Sequence, residues 1–235
     1  MTAGAGFLLA SARNIYFWLL VATLSGIALV IASACVFNNY TDRSIDRNMD
    51  RTKKRALVSG KISTTAALIY GSVLGIVGFI WLYLFTNNLV VLLGLIAFVD
   101  YLVFYAISKR LSVHGTIVGS ISGAMPIIAG YCSARGHFDS GAFILFLILV
   151  FWQMPHFYSI AMFRIKDYGA AKLPVLPVKK GVKVAKIYIL GYVLIFMLAC
   201  VSLSIYGYSG AIYLICMTIL SLNWLKLAWQ GFARI

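Results

Sequence analysis

Seven stretches of this chain are too apolar, over too great a length, to sit comfortably in water. They read approximately as 16–37, 63–85, 88–108, 113–134, 140–163, 184–206 and 209–230. Each is long enough to cross about 30 Å of hydrocarbon as a helix. The helix satisfies every backbone polar group within the segment, which lipid requires. The reading is therefore all-α: a polytopic transmembrane helix bundle, one domain over 1–235, with no soluble second domain and no low-complexity segment. Residues 1–11 are apolar but too short to span. They lack the basic start and cleavage site of a signal peptide. They read as the tail of a further helix whose beginning is absent.

Charge sets the orientation. Counting helices puts segments 38–62, 109–112 and 164–186 on one face, and they hold sixteen of the twenty Lys and Arg residues. The opposite face has Arg13 and Arg135. The positive-inside rule makes the rich face cytoplasmic. The formal charge of +14 is then no argument for nucleic acid. Topology and attraction to the anionic lipid bilayer account for it, and an anionic substrate entering from that face is the sharper explanation. Cys35, Cys132, Cys200 and Cys216 are scattered through apolar runs without metal or disulfide spacing, and read as packing residues.

Where the first run ends, the acids begin. Asn38, Asp42, Asp46 and Asp50 are spaced by four, so a helix would stack them about 6 Å apart in one column. Such oxygens suit a hard cation such as Mg²⁺. Arg43, Arg47 and Arg51 would form a second column of guanidinium groups, which match phosphate geometry. Together they offer what a diphosphate needs. The plainer alternative is a set of i,i+4 ion pairs on a solvated helix. The setting argues against it, because acids beside a membrane-length run are costly unless used.

Further polar residues interrupt the later runs. Asp100 is an intramembrane acid, either functional or hydrogen-bonded to a neighbouring Tyr or backbone group. Tyr105 and Lys109 share a face, with Arg110 following. They either clamp a diphosphate or snorkel to the interface. His114, Gly119, Gly123, Pro126 and Gly130 mark a closely packed helix. Gln153 and His156 are three apart and expected on one face, with Pro155 between them. His156 offers an iron ligand or a polar contact. Asp167 lies in a basic loop on the same face as the first acids, placed to complete a metal site.

These residues resemble the UbiA superfamily of intramembrane prenyltransferases. Asn38, Asp42 and Asp46 match its first motif, Asn-x-x-x-Asp-x-x-x-Asp, and Tyr105 and Lys109 match its Tyr-x-x-x-Lys motif. The strings Trp152-Gln153-Met154-Pro155-His156 and Lys166-Asp167-Tyr168, the latter leading to Pro174-Val175-Leu176-Pro177, are similar to the superfamily's haem-farnesylating branch. The resemblance covers essentially the whole chain. It implies a nine-helix family fold, against which seven whole helices and a stub read as a chain truncated at both ends. It implies transfer of farnesyl from farnesyl diphosphate to the vinyl group of haem b, giving haem O. It implies Mg²⁺ held by Asn38, Asp42, Asp46 and Asp167, which would be the catalytic set. It implies diphosphate bound by Arg43, Arg47, Tyr105, Lys109 and Arg110, and haem positioned by Gln153 and His156. A bacterial cytoplasmic membrane is the expected location, with haem A synthase or terminal oxidase assembly factors as protein partners. One departure stands out: four residues after Asp167, where many relatives carry a second Asp, this chain has Ala171. Two other readings fit the residues: a prenyltransferase with an aromatic, quinone-precursor acceptor, and a transporter of an anionic solute.

Overall fold

A computed structural model describes residues 1–11 and 14–233. Arg13, counted above on the poorer face, and the terminal Arg234 and Ile235 lie outside the described residues. The helices are α1 (Thr2–Ser11), α2 (Phe17–Thr41), α3 (Arg43–Asp46), α4 (Thr64–Phe85), α5 (Asn88–Val99), α6 (Ala106–Leu111), α7 (Gly115–Arg135), α8 (Ser140–Phe163), α9 (Ile165–Ala170), α10 (Leu176–Lys180), α11 (Val182–Ile205) and α12 (Ala211–Ala233). Seven spans among the described residues are long and apolar enough to cross a membrane, α5 and α6 counting as one. Their boundaries follow the seven apolar runs closely; the run read as 63–85, for example, is Thr64–Phe85, capped by Ser63 Oγ accepting from the Ala66 N–H.

Lipid inverts the usual rule about size. On α4 the large side chains Ile69, Val73, Ile76, Ile80 and Leu84 are exposed, while Gly71, Gly75 and Gly78 are buried. The glycines let α2 lie against the α4 backbone, where Ser33 Oγ donates to the Gly71 carbonyl at 2.7 Å. Without a hydrophobic force between helices, close approach of this kind and interhelical hydrogen bonds hold the pair. Trp81 Nε1 adds a third tie, donating to the Ala22 carbonyl at 3.1 Å.

α1 and α7 approach even more closely. A methyl on Gly130 would stand 1.9 Å from the Ala3 carbonyl oxygen, and one on Gly6 would stand 2.1 Å from that of Ile127. Both obstacles are backbone, which cannot rotate aside. Gly130→Ala should therefore destabilise the protein by about 3 kcal/mol, read as a lower melting midpoint in detergent. Gly191→Ala meets open space and should melt with the wild type.

Two departures from the sequence reading matter for the site. The Asn/Asp column does not continue as one helix. α2 stops at Thr41, α3 lasts four residues, and Asp50 is solvent-exposed in a pair with Lys53. The Lys53 hydrogen bond holds the Asp50 carboxyl below its ordinary range, a surface arrangement of little energetic consequence. The third helical span also contains an unforeseen π-helical turn, Asp100–Tyr105, between α5 and α6. Such turns insert an extra residue and recur at functional positions.

Candidate active site

Three loops meet at one end of the bundle, as helix counting requires. Lys109 at the end of α6 reaches α2, donating to Asn38 Oδ1 at 2.9 Å and to Asp42 Oδ2 at 2.5 Å. Arg110 donates to Asp42 Oδ1 at 3.1 Å and to the Thr41 carbonyl at 2.8 Å. Asp42 and Asp46 are both buried. The Lys109 and Asp42 side chains are each 12% exposed. A buried pair of this kind depends on both partners, since either charge alone would be stranded.

Asp46 is met from a direction that the sequence did not suggest. Arg55, in the turn-rich loop after α3, donates to Asp46 Oδ2 at 2.7 Å and to Asn39 Oδ1 at 3.0 Å. The loop is folded back by Thr52, whose hydroxyl donates to the Asp46 carbonyl at 3.1 Å. Arg55 continues the four-residue spacing of Arg43, Arg47 and Arg51, but it reaches Asp46 through the folded-back loop and not along a helix, so the spacing does not give the contact. The expected arginine column does not form. Arg43 lies over the Tyr40 ring at 4.2 Å and donates to the Tyr40 carbonyl, while Arg47 is exposed. The reason is the early end of α2, which turns these residues out of the helical phase that the spacing assumed.

The charged mouth opens into a cavity of about 450 Å³ that runs into the bundle between α2, α5, α7 and α8. That volume falls in the range of small-molecule sites. Lys109, Tyr105, Ser112 and Tyr168 border its upper part; Ile27, Leu82, Leu93 and Ala129 border its apolar depth. α7 forms one wall through a ladder of glycines. A methyl on Gly115 would stand 2.6 Å from the Lys109 backbone, one on Gly119 2.7 Å from the Tyr105 ring, and one on Gly123 2.0 Å from Gln153 Oε1. Each rung therefore seats one polar residue of the cavity wall, at intervals of about 6 Å down the helix. From sequence alone, Gly119 and Gly123 mark only close packing.

Tyr105 stacks on Tyr101 at 5.5 Å, and the Lys109 ammonium lies 4.8 Å from the Tyr105 ring centre. Asp100, one turn earlier, is buried and accepts the Ser122 backbone N–H at 3.1 Å, which is the backbone-bonded alternative offered for it. Gln153 is buried and borders the cavity. His156 does not: it is exposed on the outside of α8, stacked on Trp152 with ring centres 5.0 Å apart. The shared face expected for Gln153 and His156 is thus split. Three residues turn a helix by 300°, and the remaining 60° separates inward from outward at the bundle edge. His114 is exposed at the start of α7.

Asp167 sits on α9 with Oδ2 buried and without a hydrogen-bond donor; its nearest cation, Arg164 Nη1, is 4.0 Å away. A buried carboxylate oxygen left without a donor calls for a cation. Among the described residues, no three His, Cys, Asp or Glu side chains converge on one point. Mg²⁺ does not need such a cage, because it keeps waters and uses one or two carboxylates together with substrate phosphates. The side-chain oxygens of Asn38, Asp42, Asp46 and Asp167 are ligands of the kind that this ion takes.

A helical bundle with membrane-length apolar spans, whose charged mouth caps an apolar chamber, can take a long apolar chain carrying an anionic head. Comparison with known proteins makes the class specific. The description "UbiA prenyltransferase family" matches residues 1–235, and the chain belongs to this family. It is 53% identical over 228 residues to the protoheme IX farnesyltransferase of Photorhabdus laumondii subsp. laumondii, covering 97% of this chain and 78% of that protein. The fold is similar to the apo structure of a UbiA homologue from Aeropyrum pernix K1, at 21% identity and TM-score 0.77, covering 99% of this chain and 88% of that one. It is also similar to a UbiA homologue from Archaeoglobus fulgidus bound to DMAPP and Mg²⁺, at 16% identity and TM-score 0.75, covering 100% and 82%.

Proposed function

We propose that this chain transfers the farnesyl group of farnesyl diphosphate to the vinyl group of haem b, giving haem O and diphosphate. The observation that carries the prenyl-transfer half is the Lys109–Asp42–Arg110 cluster set at the mouth of an apolar chamber. The haem half rests on the 53% identity to a protein named for that reaction.

Asn38, Asp42, Asp46 and Asp167 would hold Mg²⁺, which when bound supplies Lewis-acid stabilisation of the departing diphosphate. Lys109, Arg110 and Arg55 already stand at these carboxylates and present cationic donors to a diphosphate arriving among them. Donors fixed in place where negative charge grows stabilise it without reorganising. The apolar depth lined by Ile27, Leu82 and Leu93 takes the isoprenoid tail and excludes water from the allylic carbon. Tyr101 and Tyr105 present ring faces on the same wall, where the negative face of an aromatic ring attracts positive charge. The bacterial cytoplasmic membrane, with the mouth on its cytoplasmic side, is the matching location, supported by the charge asymmetry of the loops.

The test is an assay of purified protein with haem b, farnesyl diphosphate and Mg²⁺, read by mass spectrometry. A haem product heavier by a hydroxyfarnesyl unit, abolished by EDTA, supports the proposal. Release of diphosphate that depends on an added aromatic acceptor, and not on haem, would reassign the acceptor. Flux of intact diphosphate across vesicles without any prenyl product would make the chain a transporter.

A further inference from the structure

Joining farnesyl to the outer carbon of a vinyl group leaves positive charge on the inner carbon. That cation has two fates: it loses a proton to become an alkene, or it takes up water. The same chamber must keep water off the farnesyl allylic carbon, where water would give the free alcohol. An enzyme that both excludes and uses water needs one water held in a fixed place. We propose that Gln153 holds it, with its amide oxygen positioning the water that adds to the substrate cation. This rests on the haem-farnesylating reading above.

The argument starts from the orientation of the amide. Gln153 is 5% exposed. Its Nε2 donates to the Leu149 carbonyl at 3.1 Å and to the Ser120 carbonyl of α7 at 3.3 Å. Two carbonyls on one side can be met only by the NH₂ group, so Oε1 is turned the other way. There it lies over Gly123, in the space where any other residue would have a side chain. Both Gln153 and Gly123 border the cavity. The oxygen is thus an acceptor fixed by its own amide at the cavity wall.

A second acceptor lies on the same stretch of α7. Pro126 has no N–H to give to the carbonyl of Ser122, and Ser122 and Pro126 both border the cavity. The Ser122 N–H is taken by Asp100 and its hydroxyl by the Gly119 carbonyl. What remains at this level is acceptor, not donor. A water that gives both hydrogens to acceptors presents its lone pairs to whatever else is near, which is the orientation needed for attack on a cation. The balance is simple. The C–O bond to diphosphate breaks, the farnesyl–vinyl C–C bond forms, water oxygen bonds to the inner carbon, and its proton passes to the released diphosphate. The Tyr105 ring fills the space over Gly119, one rung above Gly123, and the Lys109 ammonium is 4.8 Å from that ring. Gln153 therefore stands one turn, roughly 6 Å, below the cation that meets the diphosphate, near the carbon that the diphosphate leaves.

The test compares products, not rates. Wild type with haem b, farnesyl diphosphate and Mg²⁺ in H₂¹⁸O should give hydroxyfarnesyl haem carrying the label. Gln153→Met keeps the volume and removes the acceptor. The ratio of hydrated to dehydrated product, the latter lighter by one water, should fall about tenfold, the worth of one hydrogen bond to a partitioning step. A slower variant with an unchanged ratio overturns the proposal, since a merely structural glutamine would alter turnover and not partitioning. If Gln153→Met gives no product, Gly123→Ala decides on the same ratio, because its methyl displaces Oε1 while leaving the glutamine. Wild type that makes no haem product at all fails the haem reading itself, and this inference with it.

Discussion

Replacing Asp42 by alanine is expected to lower turnover by about a thousandfold, the scale at which a fixed electrostatic group in a reaction site matters. Asp42 is the acid on which Lys109 and Arg110 both converge. It belongs to the proposed metal set, and it fixes the two cations that meet the diphosphate. Part of the loss in the alanine variant would come from folding. A largely buried ammonium left without its partner costs about 3–5 kcal/mol, and the Lys109 side chain is only 12% exposed. Asp42→Asn separates the two effects. It keeps an oxygen facing Lys109, so it should melt nearer to wild type in detergent while staying inactive. Turnover of Asp42→Asn within a few-fold of wild type would remove this carboxylate from the site.

Lys109→Met is expected to cost about a hundredfold in turnover, by the loss of one charged donor to the leaving group. The Michaelis constant for farnesyl diphosphate should rise as well, because the same ammonium meets the ground-state diphosphate. This variant strands Asp42, relieved only in part by Arg110. The double variant Asp42→Asn, Lys109→Met should therefore melt closer to wild type than the sum of the single losses predicts, the non-additivity of two groups in contact. It should remain inactive. A fully active Lys109→Met would mean that Lys109 merely carries its charge to the membrane surface.

Much of the architecture could be read from the chain because lipid makes few demands and makes them over long stretches. Seven apolar runs could only be seven spans, and the boundaries of 88–108 or 140–163 fall where the polar residues begin. That the Asn38–Asp46 and Tyr105–Lys109 motifs end spans on the same face was legible as well; the direct bonds from Lys109 to Asn38 and Asp42 were not. What was not legible is what depends on a helix ending. Whether α2 would run on through Asp50 or stop at Thr41 is decided by the folded-back loop, anchored by Thr52 and Arg55, and the arginine spacing of four, which Arg55 continues, suggests an unbroken helix instead. His156 failed for a related reason. A spacing of three says that two residues are neighbours, not that both lie on the inner side, and at the rim of a bundle 60° is enough to send one outward. The glycines of α7 were visible but silent, because a missing side chain shows its meaning only when one sees what occupies its place.

The π-helical turn at Asp100–Tyr105 has a genetic consequence. Its outward-facing residues, such as Val103 and Phe104, meet only lipid, and substitution by other apolar residues there should pass almost unnoticed. Changes of length follow a different rule. A π turn takes up one extra residue and keeps the helix on either side in phase. Removing one lipid-facing residue here would let the span relax to an ordinary α-helix with Lys109 still facing Asn38 and Asp42. Removing one residue between 106 and 108 would instead rotate Lys109 by about 100°. Codon changes at Val103 and Phe104 should thus be well tolerated, and single-codon deletions should do less harm there than in the regular turn that carries Lys109.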